Sequence, residues 1–142
     1  MNPQSPRLDL TSLRDALASL QRALTRWQGT GAQDEELRDA CIQRFEYTFE
    51  LSWKMLRRRL ELDLADAHSV DAMSYRELIR SGAERGLIAD VDAWMVFRDK
   101  RSITSHTYNA AKAADVAAAV PAFAERAHEL LVQLQIRGAA DA

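Results

Sequence analysis

The sequence predicts an all-α fold: an antiparallel up-and-down helical bundle of four main helices plus a short extra helix. Three observations carry this expectation. Apolar residues recur at alternating spacings of three and four, the signature of one helix face. No stretch shows the period-two alternation of a strand. The 142 residues include only five Gly and three Pro, too few for a fold of tight turns, and the apolar stripes are joined by short connections, as between antiparallel neighbours.

The first helix is read from Leu10, Leu13, Leu17, Leu20, Leu24 and Trp27, and Gly29-Thr30-Gly31 stops it. Asp34 is placed to cap a second helix, with Glu35 and Glu36 in its first turn. That helix runs through Leu37, Cys41, Phe45, Phe49, Trp53, Leu56 and Leu60, with Ile42, Tyr47 and Leu51 on its other faces. A helix this apolar is central or touches a second chain. Asp63 to Met73 reads as an irregular loop. Ser74-Tyr75-Arg76-Glu77 has the form of a capping box and opens a short third helix that ends near Gly82 and Gly86. Asp90 caps a fourth, through Val91, Trp94, Met95 and Arg98. The last helix carries Val116, Val120, Phe123, Ala127, Leu130 and Leu134. Pro121 should kink it or mark its true start, and the tail from Gly138 should fray. The whole, 1–142, reads as one domain with a core over about 8–137 and frayed termini.

Composition narrows the function. Nineteen basic against 21 acidic residues give a net charge of −2, which excludes a polycationic grip on nucleic acid but not a local patch. No apolar run reaches the roughly 18 residues that span a bilayer. The first residues lack the blocks of a signal peptide, and the single Cys41 cannot form an intramolecular disulfide, so the expected location is the cytoplasm. Cys41 lies on the apolar stripe and reads as an inert core thiol. No Gly-rich phosphate loop, H-E-x-x-H or C-x-x-C is present, and His68, His106 and His128 are far apart, so no metal site is expected in this chain. Glu46 and Glu50 read as a solvated face with Glu50–Lys54 support, a metal pair being the lesser alternative. Lys54 with Arg57, Arg58 and Arg59 reads as a solvated face before a nucleic-acid patch.

One segment differs. Arg98 to Tyr108 concentrates two Arg, a Lys, a His, a Tyr and several hydroxyls. Arg98 follows the stripe of Val91, Trp94 and Met95, and Ser102 and Ser105 stay near that face. These three are the candidate substrate-binding residues. An apolar stripe that turns polar is costly unless the groups are satisfied or used. Arg101 and His106 lie about 140° apart on a continuous helix. A helix end near His106 would let the imidazole turn toward Arg101. Otherwise the site is shared across a symmetric dimer. Arg presents a fork to phosphate oxygens, and His moves a proton near neutral pH. Together they suit RNA cleavage, with His106 acting on the 2′-hydroxyl or the leaving oxygen and Arg101 stabilising the phosphorane. The structural alternative makes His106 a capping group and pairs Arg98 and Arg101 with carboxylates of neighbouring helices.

Phe45-Glu46-Tyr47-Thr48-Phe49-Glu50-Leu51-Ser52-Trp53-Lys54-Met55-Leu56 resembles the first signature of the nucleotidyltransferase substrate-binding protein family, and Arg101-Ser102-Ile103-Thr104-Ser105-His106-Thr107-Tyr108 resembles the second. The resemblance runs roughly from Leu8 to Leu134 and places the chain in the HEPN group of helical, commonly dimeric bundles. It implies an accessory substrate-binding subunit of a two-component minimal nucleotidyltransferase, with a nucleotide- or phosphate-binding groove around the R-x4-H-x-Y motif. It implies a homodimer, with no cofactor in this chain. The partner subunit would use ATP or another nucleotide with Mg2+. The related HepT toxins share the motif and imply the alternative: a metal-independent ribonuclease of a toxin–antitoxin pair, neutralised by AMP transfer. Carried over, Arg101 and His106 are catalytic and Tyr108 is the AMP acceptor. Ser102 departs from the pattern, in which an Asn or Asp often follows the Arg. Ser reaches less far, and Arg98 and Asp99 are the available substitutes.

Overall fold

The computed structural model describes residues 8–141. Every α-helix after the first starts on a side chain that accepts from an otherwise unpaired N–H. Asp34 accepts from Leu37 at the start of α2 (Glu35–Asp63), Asp66 from His68 at α3 (Ala67–Asp71), and Ser74 from Glu77 at α4 (Tyr75–Glu84). Asp90 accepts from Ala93 at α5 (Val91–Ser102), and Asn109 from Ala111 and Lys112 at α6 (Ala110–Ala140). α1 (Thr11–Gly29) begins at Leu10 without a side-chain cap. Among the described residues there is no strand.

Pairings between side chains give the directions. Ser19 and Tyr47 share a hydrogen bond of 3.1 Å, and Arg44 donates to the Ser19 carbonyl, so α1 and α2 run antiparallel across the turn at Gly31. Gly31 takes φ 70°, the left-handed value that a Cβ disfavours. Phe45 meets Phe123 edge-on at 4.9 Å, and Arg59 meets Asp141, so α2 and α6 run the same way. Phe97 meets Phe123 at 5.2 Å and Lys100 pairs with Asp115 at 2.7 Å, so α5 runs against α6. The up-and-down bundle holds, with α3 and α4 folded across one side.

Phe45, Phe49, Trp94, Phe97 and Phe123 form an aromatic centre, all but sealed from solvent. Each such side chain contributes roughly 1.5–3 kcal/mol on burial, so this cluster anchors α5 on α2 and α6. Most of the apolar breadth of α2 is used within the chain, since α2 packs on every other helix, while Tyr47 and Leu62 stay exposed. Cys41 is fully buried, and burial pushes its thiol pKa up.

Three expectations need correction. The Asp63–Met73 stretch is not simply irregular, because Asp66 caps the single turn of α3 and Val70 is buried. Pro121 does not mark the start of α6 but lies inside it: the helix begins at Ala110, about three turns earlier. It leaves the Ala117 carbonyl without its helical donor. The tail does not fray at Gly138. α6 continues to Ala140, and Asp141 accepts from the buried Arg59. The expected fraying at the other terminus concerns residues 1–7, outside the described residues.

Candidate functional site

The stripe that leads into the motif is Trp94, Phe97, Arg101 and Thr104, at spacings of three, four and three. Trp94, Phe97 and Thr104 are buried and Arg101 is half-buried. The sequence reading placed the stripe through Arg98, Ser102 and Ser105 instead, and all three are exposed. Phe97 is the residue that re-phases it. Ser102 donates to the Asp99 carbonyl at 2.6 Å, which closes the last turn of α5. The Arg98 guanidinium lies over the Tyr75 ring, 5.2 Å from its centroid.

Arg101 is held on three sides. Its Nη1 donates to Thr104 Oγ1 at 3.0 Å, and that hydroxyl donates back to the Arg101 carbonyl at 2.9 Å. Across the interface, its Nη2 lies 3.4 Å from Glu46 Oε1 and its Nε 3.2 Å from Glu50 Oε1. Glu46 and Glu50, read from sequence as a solvated face, are therefore the partners of the motif arginine. Glu50 spends its second oxygen on Trp53, which donates through Nε1 at 3.2 Å, and Lys54 sits over the Trp53 ring rather than pairing with Glu50. The i, i+4 spacing of the two glutamates was the available signal. What it lacked was the knowledge that α5 crosses that face.

α5 ends at Ser102, four residues short of His106, so the backbone is already free to turn. A 3-10 turn over Thr104–His106 follows, with the His106 N–H donating to Ile103 and the Asn109 N–H to His106. His106 is exposed, and among the described residues its imidazole makes no hydrogen bond or ion pair. It caps no helix and is not joined to Arg101. Its one ring contact is with Tyr108, at 6.2 Å and 71°. Tyr108 is 87% exposed. The chemistry this end offers is an exposed imidazole and an exposed phenol, on the turn that follows a guanidinium whose charge two carboxylates offset.

The second basic cluster disperses. Arg59 is buried against Asp63 and Asp141, and Arg57 pairs with Glu61 and Asp71. The Arg59 pKa is raised by its bonds to Asp63 and Asp141. Among the described residues, no three His, Cys, Asp or Glu side chains converge as a metal-ligand set. No helix there is long and apolar enough to cross a membrane.

Fold and candidate site together define a helical bundle whose motif residues gather at the junction of its last two helices. The chain belongs to the nucleotidyltransferase substrate-binding protein family: the family described as "nucleotidyltransferase substrate binding protein like" matches residues 8–136. It is 35% identical to a Haemophilus influenzae protein named "Probable ribonuclease HepT", over 95% of this chain and 97% of that one. Among solved structures it resembles a Haemophilus influenzae protein described as the substrate-binding domain of a nucleotidyltransferase, with a TM-score of 0.84 and 33% identity over 89% of this chain and 99% of that one. A Thermus thermophilus protein matches with a TM-score of 0.70 and 32% identity, over 86% of this chain and 98% of that one.

Proposed function

We propose that this chain is the RNA-cleaving half of a two-component system whose other half is a minimal nucleotidyltransferase. One observation carries the reading: the imidazole of His106 and the phenol of Tyr108 stand open to solvent, side by side, at the end of the helix that holds Arg101. The clefts on α1, between α1 and α6 and between α2 and α4 are lined by none of these three. An open end suits reactants that arrive on a large surface, such as an RNA strand or a partner's active site. The name of the Haemophilus influenzae relative supports the same activity.

The reaction uses RNA's own nucleophile. His106 accepts the 2′-hydroxyl proton, O2′ attacks the adjacent phosphorus, and the P–O5′ bond breaks. The products are a 2′,3′-cyclic phosphate and a 5′-hydroxyl, which takes up a proton from water or the imidazolium. Arg101 faces the phosphorane oxygens. The partner silences this end by AMP transfer. The Tyr108 oxygen attacks the α-phosphorus of ATP, which the partner would hold with Mg2+; the phenol proton passes to water and pyrophosphate leaves. Arg98, Ser102 and Ser105, exposed around the same turn, contact the strand. We also propose a homodimer.

A second reading is favoured by the pairing of Arg101 with Glu46 and Glu50, which leaves no free cation at the motif's first residue. In it the chain only presents substrate to the nucleotidyltransferase. Inducing the chain alone, beside His106→Ala, separates the two. Growth arrest with RNA breakdown in the wild type only is the expected result. Harmless expression of both overturns the cleavage reading in favour of the accessory one.

A further inference from the structure

Between α2 and the α3–α4 segment lies a cleft of about 210 Å3 that the proposed chemistry does not use. Its floor is the buried Val70 and Leu78, and its walls are two half-buried aromatics, Trp53 and Tyr75. Both rings are fixed by their polar ends. Trp53 donates to Glu50, and Tyr75 donates to the Trp94 carbonyl at 2.8 Å. Arg57 stands at the rim, its guanidinium against Asp71 at 2.8 Å. The volume is below the roughly 300 Å3 at which drug-sized pockets begin. It suits one planar ring system, and aromatic walls are what bases stack on.

Each wall is also linked to an arginine of α5. Trp53 reaches Arg101 through Glu50, whose two oxygens they share, and Tyr75 lies directly under Arg98. A ring seated in the cleft thus carries its attached phosphate toward the motif helix, where the exposed Arg98 lies over Tyr75. We infer that the cleft between α2 and α4 is a nucleobase subsite for the RNA strand on which Arg101 and His106 act. The inference rests on the cleavage reading for its choice of ligand. The ring seated there places the neighbouring phosphodiester, so the subsite sets base preference.

The test uses the full chain and a fluorescently labelled tetranucleotide with 2′-O-methyl groups, which binds but has no 2′-hydroxyl to react. Met73, a half-buried lining residue, is replaced to fill the cleft (Met73→Trp) or to widen it (Met73→Ala), with helicity checked by circular dichroism. Fluorescence anisotropy is expected to give binding at least tenfold weaker in Met73→Trp, and weaker by a smaller factor in Met73→Ala, which removes a lining contact but leaves the cleft open. A tetranucleotide with one abasic position should lose a similar factor on the wild type. Equal binding by Met73→Trp, or by the abasic strand, overturns the subsite. So does mononucleotide binding that matches the tetranucleotide, which would assign the cleft to a free nucleotide. Cleavage of the matching 2′-hydroxyl strand is followed separately. Cleavage with unchanged rate and base preference in Met73→Trp sinks the subsite alone. Cleft-dependent binding without any cleavage sinks the cleavage reading alone.

Discussion

Arg101 on α5 and Glu50 on α2 lie 3.2 Å apart, and the same glutamate accepts from Trp53. One carboxylate therefore orients both the motif arginine and an aromatic wall of the neighbouring cleft. Glu50→Gln keeps an acceptor for Trp53 and removes the charge. The expected result is RNA binding about three- to tenfold tighter at low salt, because a phosphate no longer competes with that carboxylate for Arg101. Stability should change by less than about 1 kcal/mol, as for other part-exposed pairs. Anisotropy titrations and urea unfolding check the two halves, and weaker binding would mean that Glu50 positions Arg101 more than it masks it.

His106→Ala removes an exposed ring that makes no hydrogen bond. Unfolding free energy should stay within about 0.5 kcal/mol of wild type. RNA cleavage should fall by about a hundredfold or more, the scale of a lost general base. Residual cleavage at the wild-type rate would assign the proton transfer to another group.

Tyr108→Phe keeps the ring contact with His106 and deletes the phenol. Labelled AMP supplied with the cognate nucleotidyltransferase should no longer enter the chain, while the melting temperature is unchanged. Label incorporated into the variant would point to a different acceptor.

Arg59→Met tests the far end of the bundle. The stem still packs, but Asp63 and Asp141 lose the guanidinium between them. Removing one partner of a buried pair costs about 3–5 kcal/mol. A loss of about 2–3 kcal/mol is expected here, because Asp141 lies at the rim and water can reach it. Chemical denaturation measures it, and a loss below about 1 kcal/mol would show that the pair does not hold α6 to α2.

Cys41 gives the pH dependence. Burial raises its folded-state pKa above the ordinary 9.0. The neutral thiol is thus favoured by folding, and its contribution is complete below the unfolded pKa. Stability should decline as pH rises past about 9, since only the unfolded chain then ionises. Cys41→Ala should flatten that decline, and the native thiol should resist aromatic disulfide reagents until the protein unfolds.

The bundle was legible because helix faces and caps are local. Asp34, Ser74 and Asp90 each accept the N–H expected of them. The motif was legible as a motif but not in its facing. Val91, Trp94, Met95 and Arg98 make a consistent stripe, and so do Trp94, Phe97, Arg101 and Thr104. Only packing against Phe49 and Phe123 selects the second. The same crossing gives Glu46 and Glu50 their partner, a contact between residues some fifty positions apart that periodicity cannot encode.

The backbone on either side of Tyr108 is secured, by the 3-10 turn before it and by the Asn109 cap after it, while the phenol faces water. A group written onto that oxygen therefore adds bulk and charge outside every packed layer. Folding free energy is blind to such a mark. Such a mark would alter what the bundle meets and leave the bundle itself untouched, so adding or removing it would require no refolding.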